Sequence, residues 1–155
     1  MDNKDIVITS AFRTAISSLD GSLSEYSASE LGSFVIKKCM EHSNLQKDDI
    51  DTVYMGQVLQ AGAGQNPARQ SAMKAGIDKS TSATTINQVC GSGLSAISLG
   101  FNSLKLKDTK IVIAGGQESM TNAPHAIHFR NNIKLEEKNL IDTMIKDGLW
   151  DAFND

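Results

Sequence analysis

Asn87-Gln88-Val89-Cys90-Gly91-Ser92-Gly93-Leu94 places a cysteine between a short strand-like segment and a turn that contains two glycines. An apolar helix is predicted to begin directly after it, so Cys90 lies at a helix N-terminus. Free backbone N–H groups and the positive end of the helix dipole meet there, and both favour a thiolate. Because the thiolate is the nucleophilic form of cysteine, this stretch predicts covalent acyl chemistry at Cys90.

The surrounding sequence is uncharged from Ser80 to Leu104. We therefore expect this strand, turn and helix to run through the interior of the protein. A purely structural interpretation stays open, because most buried cysteines are inert packing residues and the run Gly-Ser-Gly occurs in many turns.

Short β-branched runs alternate with longer helical periods along the chain. The predicted strands are Ile6–Thr9, Thr52–Met55 ended by Gly56, Ala83–Asn87 and Ile111–Ala114. The alternation predicts an α/β fold with a mostly parallel sheet, right-handed crossovers and helices on both faces.

Three helices are predicted between these strands. Ser27 and Glu30 form a capping box that begins the first. Asn66-Pro67 begins the second, which runs to about Ala75 and is ended by Gly76. The third covers Ser92–Lys105. Four apolar residues of the first helix recur at helical spacing and are expected on its core face: Leu31, Phe34, Val35 and Cys39. Cys39 is therefore expected to be structural.

Length and charge exclude several classes of protein. The 155 residues suit one domain with a real core, and a net charge of −3 argues against nucleic-acid binding. No apolar run is long enough to cross a membrane, and the N-terminus resembles neither a signal nor a transit peptide. Two cysteines make no disulfide framework, so a reducing cytoplasm is the expected location.

A dinucleotide-binding loop and a metal site both fit poorly. Gly62-Ala63-Gly64 follows a strand, but Pro67 stands where the third glycine belongs and the next strand does not end in an acidic residue. The three histidines, His42, His125 and His128, do not combine with the cysteines into a metal-ligand spacing.

Arg69 and Glu118 remain ambiguous on sequence grounds. Arg69 has the character of a solvated or interface residue. Glu118 follows two glycines at a strand end, where active-site residues of parallel sheets often lie, yet a turn or buried-cap role is equally consistent.

Five segments together resemble, in the same order, the N-terminal half of the thiolase family, the acetyl-CoA acetyltransferases. They are Arg13–Ile16, Gly62–Gln70, Asn87–Gly93, Ala114–Pro124 and Asp147–Phe153. One departure is Gln117, because the family pattern usually has methionine after the two glycines.

The resemblance implies a thiolase-like N-terminal α/β domain over residues 1–116. Residues 117–155 would begin the substrate-binding loop region. Cys90 would be the acyl-accepting nucleophile, and the turn at Gly91 and Gly93 would help to hold the oxyanion. The implied substrates are acyl-CoA thioesters in fatty acid metabolism, with no further cofactor and no metal.

The resemblance also implies catalytic groups that this sequence lacks. It contains none of the Gly-His-Pro, Cys-x-Gly and Asn-Glu motifs of the family's C-terminal half, so we expect a thiolase truncated in its loop region. We further expect a homo-oligomer whose interface includes Gln65, Asn66, Pro67 and Arg69 together with strand Ala83–Asn87.

Three functions remain open at this point. The first is a thiolase-type acyltransferase that is incomplete in this chain. The second is a non-catalytic thiolase-like module that oligomerises or binds acyl-CoA. The third, a ketoacyl-synthase type of condensing enzyme, is disfavoured by the segments Gln65–Gln70 and Gly115–Pro124.

Overall fold

The computed structural model describes residues 5–128 and 139–154. Its helices are α1 (Ala28–His42), α2 (Pro67–Lys74) and α3 (Ser92–Lys105), and its strands are β1 (Thr52–Gly56), β2 (Ser82–Ile86), β3 (Val112–Gly116), β4 (His125–Ala126) and β5 (Ile141–Asp142). A single π-helical turn, Ile145–Leu149, follows β5. The α/β fold predicted from the alternation is thus confirmed.

The main sheet is parallel, with β1 between β2 and β3. Side chains alternate between its two faces. Val53 and Met55 of β1 join a core with Ala68 and Ala72 of α2, whereas Gly56 lies against the start of α3. Helices therefore cover both faces of the sheet, as the sequence predicted.

The core lies between β1, α2 and α1. Ile36 and Met40 of α1 and Ile50 and Ile77 of the connecting loops complete it, and Val53 at its centre is fully buried. The capping box of α1 is formed, since the Ser27 hydroxyl accepts from the amide of Glu30 and the Glu30 carboxylate accepts from the amide of Ser27. The predicted bounds of α3 agree with the structure.

The segment Ile6–Thr9 is not the buried strand predicted from its β-branched residues. It forms no ladder, and Val7 and Ile8 are exposed. Thr9 instead bonds the hydroxyl of Ser43 beyond α1, at 3.0 Å. A strand requires a hydrogen-bonding neighbour as well as suitable residues, and no described strand lies beside this segment.

The predicted core face of α1 is also wrong. Phe34 is 51% exposed, and Cys39 is only half-buried. The buried side consists of Ala28, Ser29, Gly32, Ser33, Ile36 and Met40. Small residues lie on that side because α1 packs closely on α2, and the helical period alone does not distinguish the two apolar stripes.

The uncharged segment from Ser80 to Leu104 does not run through the interior. β2 is an edge strand, and α3 buries only Ser92, Ala96 and Gly100. The larger apolar side chains of α3, Leu94, Ile97, Leu99 and Phe101, are exposed. One sheet covers one stripe of a helix, so the opposite stripe of α3 is uncovered in the described part of the chain.

The residues after β3 form a small antiparallel pair, in which His125 lies opposite Asp142. The π-helical turn Ile145–Leu149 follows this pair. Across the described ranges 5–128 and 139–154, no helix is long and apolar enough to cross a membrane.

Candidate active site

Cys90 is exposed on the turn that joins β2 to α3. The turn is held by its own side chains: the amide of Val89 donates to Asn87 Oδ1 at 3.0 Å, and the amide of Gln88 donates to Ser92 Oγ at 2.9 Å. The Ser92 hydroxyl in turn donates to the carbonyl of Val89. Cys90 therefore sits on a rigid turn one residue before Gly91, the N-cap of α3.

Val89 has a backbone φ of +48°, in the left-handed region. Among the described non-glycine residues with positive φ it alone is β-branched, and such a residue is a genuine outlier there. Strained residues of this kind cluster at functional sites. Sequence reasoning missed this feature, because nothing in the residue types signals a valine at positive φ.

The two predicted turn glycines have different surroundings. Gly91 is exposed, whereas Gly93 lies against Gly116 at the end of β3. The close approach extends to β1, where a Cβ added to Gly56 would lie 2.5 Å from the carbonyl carbon of Ser92. Glycine at the strand ends lets the start of α3, and with it Cys90, settle directly on the sheet.

A cleft of about 430 Å³ opens beside Cys90. It lies at the carboxyl ends of β1 and β3, where ligands bind in open parallel sheets. Its lining residues are Gly56, Val58, Leu59, Val89, Cys90, Ser92, Gly93, Gly116, Gln117, Glu118, Met120, Gly148 and Leu149. The structure thus brings the Cys90 segment together with the Ala114–Pro124 and Asp147–Phe153 segments.

Glu118 forms part of the cleft wall and anchors another part. Its two carboxylate oxygens accept from the amides of Val58, at 2.9 Å, and Leu59, at 3.1 Å. Burial raises the pKa of the Glu118 carboxyl above its ordinary value of 4.5, against the lowering effect of these two hydrogen bonds. Glu118 thus caps two backbone amides, as one of the roles left open by the sequence requires, and it also lies in the wall of the Cys90 cleft.

A buried network of amides lies beneath the cleft. Ser71 Oγ donates to Gln117 Oε1 at 2.5 Å, Gln117 Nε2 donates to Gln57 Oε1 at 2.9 Å, and Gln57 Nε2 donates to the carbonyl of Leu59 at 2.8 Å. Every donor in this series points the same way along it. The series fixes the orientation of both amides and ends at the cleft wall.

The residues predicted for a subunit interface have contacts within this chain. Asn66 caps α2, with Oδ1 accepting from the amide of Arg69 and Nδ2 donating to the carbonyl of Ala83. Pro67 is buried at the first position of α2, and Gln65 is exposed. The guanidinium of Arg69 donates to the carbonyls of Lys79 and Thr81, so it fixes the loop before β2. Their role in an interface remains a prediction.

No group of His, Cys, Asp and Glu suited to a metal ion occurs among the residues that the structure describes. In the β4–β5 pair, His125 Nε2 lies 3.9 Å from Asp142 Oδ2. It does not line the Cys90 cleft.

Comparison with known proteins identifies the family. A family profile described as "Thiolase, N-terminal domain" matches residues 6–155. An acetyl-CoA acetyltransferase of Rhizobium meliloti (strain 1021) is 50% identical over 153 residues, and a probable acetyl-CoA acetyltransferase of Escherichia coli (strain K12) is 51% identical. The alignments cover 99% and 98% of this chain but 39% of each relative.

A solved structure agrees. The Acat5 thiolase of Ascaris suum, crystallised in complex with coenzyme A, superposes with a TM-score of 0.91 at 40% identity, over 96% of this chain and 39% of that one. With the strand–turn–helix at Cys90 and the profile match over nearly its whole length, this chain belongs to the thiolase family, within the region that forms the family's N-terminal domain.

Proposed function

We propose that this chain supplies the acyl-accepting portion of an acetyl-CoA C-acetyltransferase of the thiolase type. The observation that carries the proposal is the position of Cys90: exposed, on a strained turn before α3, and opening into a cleft at the carboxyl ends of β1 and β3. The similarity to acetyl-CoA acetyltransferases suggests the acetyl group as the group transferred.

The proposed half-reaction is a thioester exchange. Cys90 Sγ attacks the carbonyl carbon of acetyl-CoA, and negative charge develops on the carbonyl oxygen. We expect the turn around Gly91 and Gly93 to help meet that charge; the amide of Gly91 itself donates to the carbonyl of Gln88 at 3.0 Å. The bond between the carbonyl carbon and the coenzyme A sulfur then breaks, coenzyme A leaves with the proton from Cys90, and the acetyl group remains on Sγ.

The second half-reaction joins or splits a carbon–carbon bond with another thioester. Cys39 cannot take part in it from its place on α1, remote from the cleft-lining residues. The chain spans about 39% of the length of its relatives, so we assign the missing acid–base groups to the part of those relatives that this chain does not match. We therefore expect acetylation of Cys90 without appreciable turnover.

The proposal extends to the setting of the reaction. Both cysteines of the described chain are free, which suits a reducing compartment and supports the cytoplasm. We assign the reaction to fatty acid metabolism because its proposed substrate is an acyl-CoA thioester. A homo-oligomer built through β2 and the segment that contains Gln65, Asn66, Pro67 and Arg69 is part of the same proposal.

Mass spectrometry of the intact chain after incubation with acetyl-CoA tests the proposal. We expect one acetyl group per chain, located on the peptide that contains Cys90, in wild type and in Cys39→Ala. Cys90→Ser should acquire none. Acetylation of Cys39 alone, or none at all under conditions in which iodoacetamide alkylates Cys90, would contradict the transfer reaction.

The same experiment distinguishes the non-catalytic alternative. A module that only binds acyl-CoA would bind acetyl-CoA in calorimetry yet release it unchanged, and Cys90→Ser would bind as tightly as wild type. Transfer of the acetyl group to Cys90 excludes that interpretation.

A further inference from the structure

We propose that Leu59 limits the length of the acyl group that Cys90 accepts, an inference that rests on the proposed function. A second cavity, of about 310 Å³, lies near the Cys90 cleft. Among the residues that the structure describes, Leu59 alone lines both spaces. Its side chain, 7% exposed, is therefore a partition between the acyl-accepting cleft and a separate cavity.

The partition consists of two chain segments that alternate between the spaces. In the first, Val58 lines the cleft and Gln57 lines the second cavity. In the second, Glu118 lines the cleft and Ser119 lines the second cavity. Adjacent residues of each segment thus line different spaces, and Leu59, in the first segment, lines both.

The backbone of Leu59 is held on both sides. Its N–H donates to Glu118 Oε1 at 3.1 Å, and its carbonyl accepts from Gln57 Nε2 at 2.8 Å. Gln57 is itself fixed by Gln117, as described above. These bonds hold the backbone of Leu59 in place, so a backbone shift that would carry the side chain out of the wall requires breaking them.

The side chain of Leu59 is also confined. A Cβ added to Gly148 would lie 3.1 Å from Leu59 Cδ2. The π-helical turn therefore packs closely against the leucine at Gly148, which has no side chain. Leu149, next to that glycine, lines the cleft. The leucine thus completes a closed end of the cleft, which suits short acyl thioesters such as acetyl-CoA.

Removal of the leucine side chain would join the two spaces. The second cavity has a mixed lining, in which Ala28, Ala61, Ala63 and Pro124 lie beside polar residues such as Ser29 and Gln70 and the charged Lys74. The alanines and Pro124 are the part of this lining that would contact the methylene groups of a longer acyl chain. The chemistry at Cys90 is unchanged: the same thioester exchange transfers a longer acyl group and releases coenzyme A with the proton.

The test compares acyl transfer to Cys90 from acetyl-CoA and from octanoyl-CoA, in a Cys39→Ala background. Wild type should favour acetyl-CoA. Leu59→Ala should raise the ratio of octanoyl to acetyl transfer rates at least about tenfold, because space for one additional methylene is worth about 10–200-fold in specificity. Leu59→Val should shift the ratio in the same direction by less, which covers the case in which the alanine variant fails to fold.

Val58→Ala is the matched control, since Val58 lines the cleft but not the second cavity. It should widen the cleft without relieving the limit on length. An equal shift in Val58→Ala and Leu59→Ala, or an unchanged ratio in both leucine variants, overturns the inference.

A second pair of reagents separates this inference from the proposed function. N-ethylmaleimide and N-octylmaleimide alkylate Cys90 without any coenzyme A. If wild type takes no acyl group from either thioester, the proposed function fails. The inference then stands only if Leu59→Ala still raises the relative rate of the octyl reagent, and it fails if that ratio is unchanged.

Discussion

Gln117 is where this chain departs from the thiolase pattern, and its amide has a defined task. It joins the end of β3 to Gln57 beyond β1 and to Ser71 on α2. It also lies directly against Gly32 of α1, where no side chain would fit. Among the described residues no buried side-chain nitrogen or oxygen lacks a partner, so the network is complete as it stands.

The first prediction concerns Gln117→Met, which restores the usual family residue. Ser71 can turn to the carbonyl of Pro67, 3.0 Å away, but Gln57 Oε1 loses its donor while buried. We expect the free energy of unfolding to fall by about 1–3 kcal/mol, the cost of a buried group left without a partner. Urea denaturation followed by circular dichroism measures it.

Gln46→Met is the control for this prediction, because Gln46 is exposed. It should change the unfolding free energy by no more than about 0.5 kcal/mol. The double variant Gln57→Met with Gln117→Met should cost less than the two single changes added together, since Gln57→Met removes the acceptor that Gln117→Met leaves without a donor. Additive losses would show that the two amides do not act as a unit.

The second prediction follows from the raised pKa of Glu118. The folded state binds the Glu118 proton more tightly than the unfolded chain does. The contribution of this group to stability is therefore full below the ordinary value of 4.5 and is lost as pH rises through the folded pKa. The unfolding free energy of wild type minus that of Glu118→Gln should fall as pH increases from about 4 to about 8. A difference that rises over this range would contradict the assignment of burial as the dominant cause.

At the scale of elements, α2 depends on its N-cap residue, Asn66. Asn66 adopts a φ of +43° and uses its side chain to join the helix start to β2: Oδ1 accepts from the amide of Arg69 and from the hydroxyl of Thr85, while Nδ2 donates to the carbonyl of Ala83. Asparagine tolerates the left-handed region better than most residues. One side chain thus fixes both the entry to α2 and its distance from the sheet.

The third prediction is that Asn66→Ala lowers the free energy of unfolding by about 2 kcal/mol, through loss of the cap and the strain of alanine at positive φ. Asn66→Gly should lose less, because glycine accepts that conformation. Asn102→Ala, on the exposed side of α3, is the control and should be neutral or slightly stabilising. Thermal melts of the three variants decide; equal effects at Asn66 and Asn102 would count against the cap.

At the scale of the whole molecule, an edge of the sheet and a stripe of α3 are among the surfaces left uncovered in the described part of the chain. The outer edge of β2 has no neighbouring strand, and the exposed stripe of α3 carries Leu94, Ile97 and Phe101. Unpaired edges and exposed apolar stripes both favour association. They are distinct surfaces, so their contributions can be separated.

The fourth prediction is that the chain self-associates at micromolar concentration, mainly through β2. Thr84→Lys places a charge on the exposed edge strand and should shift the molecular weight in light scattering toward the monomer. Ser98→Lys, an exposed substitution on α3, should leave the assembly intact. If Ser98→Lys alone dissociates the assembly, the interface lies on α3 and not on β2. A wild-type monomer at high concentration would refute association altogether.

The sequence by itself determined the elements around the site and their order. Capping residues at Ser27 and Asn66, glycine at position 76 and the period of Ser92–Lys105 are local signals, and local hydrogen bonds enforce them. The position of Cys90 at the start of α3 followed from the same local rules. These features need no distant contact, which is why residue types were sufficient to predict them.

Only the tertiary structure decided which surfaces are covered. Residues 6–9 have strand-like side chains but no described partner strand. The side of α1 with the smaller residues is buried, and the apolar stripe that contains Phe34 is not. The amide series through Gln117 and the placement of Leu59 between two cavities likewise arise where segments far apart in sequence meet. Packing depends on the shape and hydrogen bonding of a neighbour, and a residue pattern does not state which neighbour will be present.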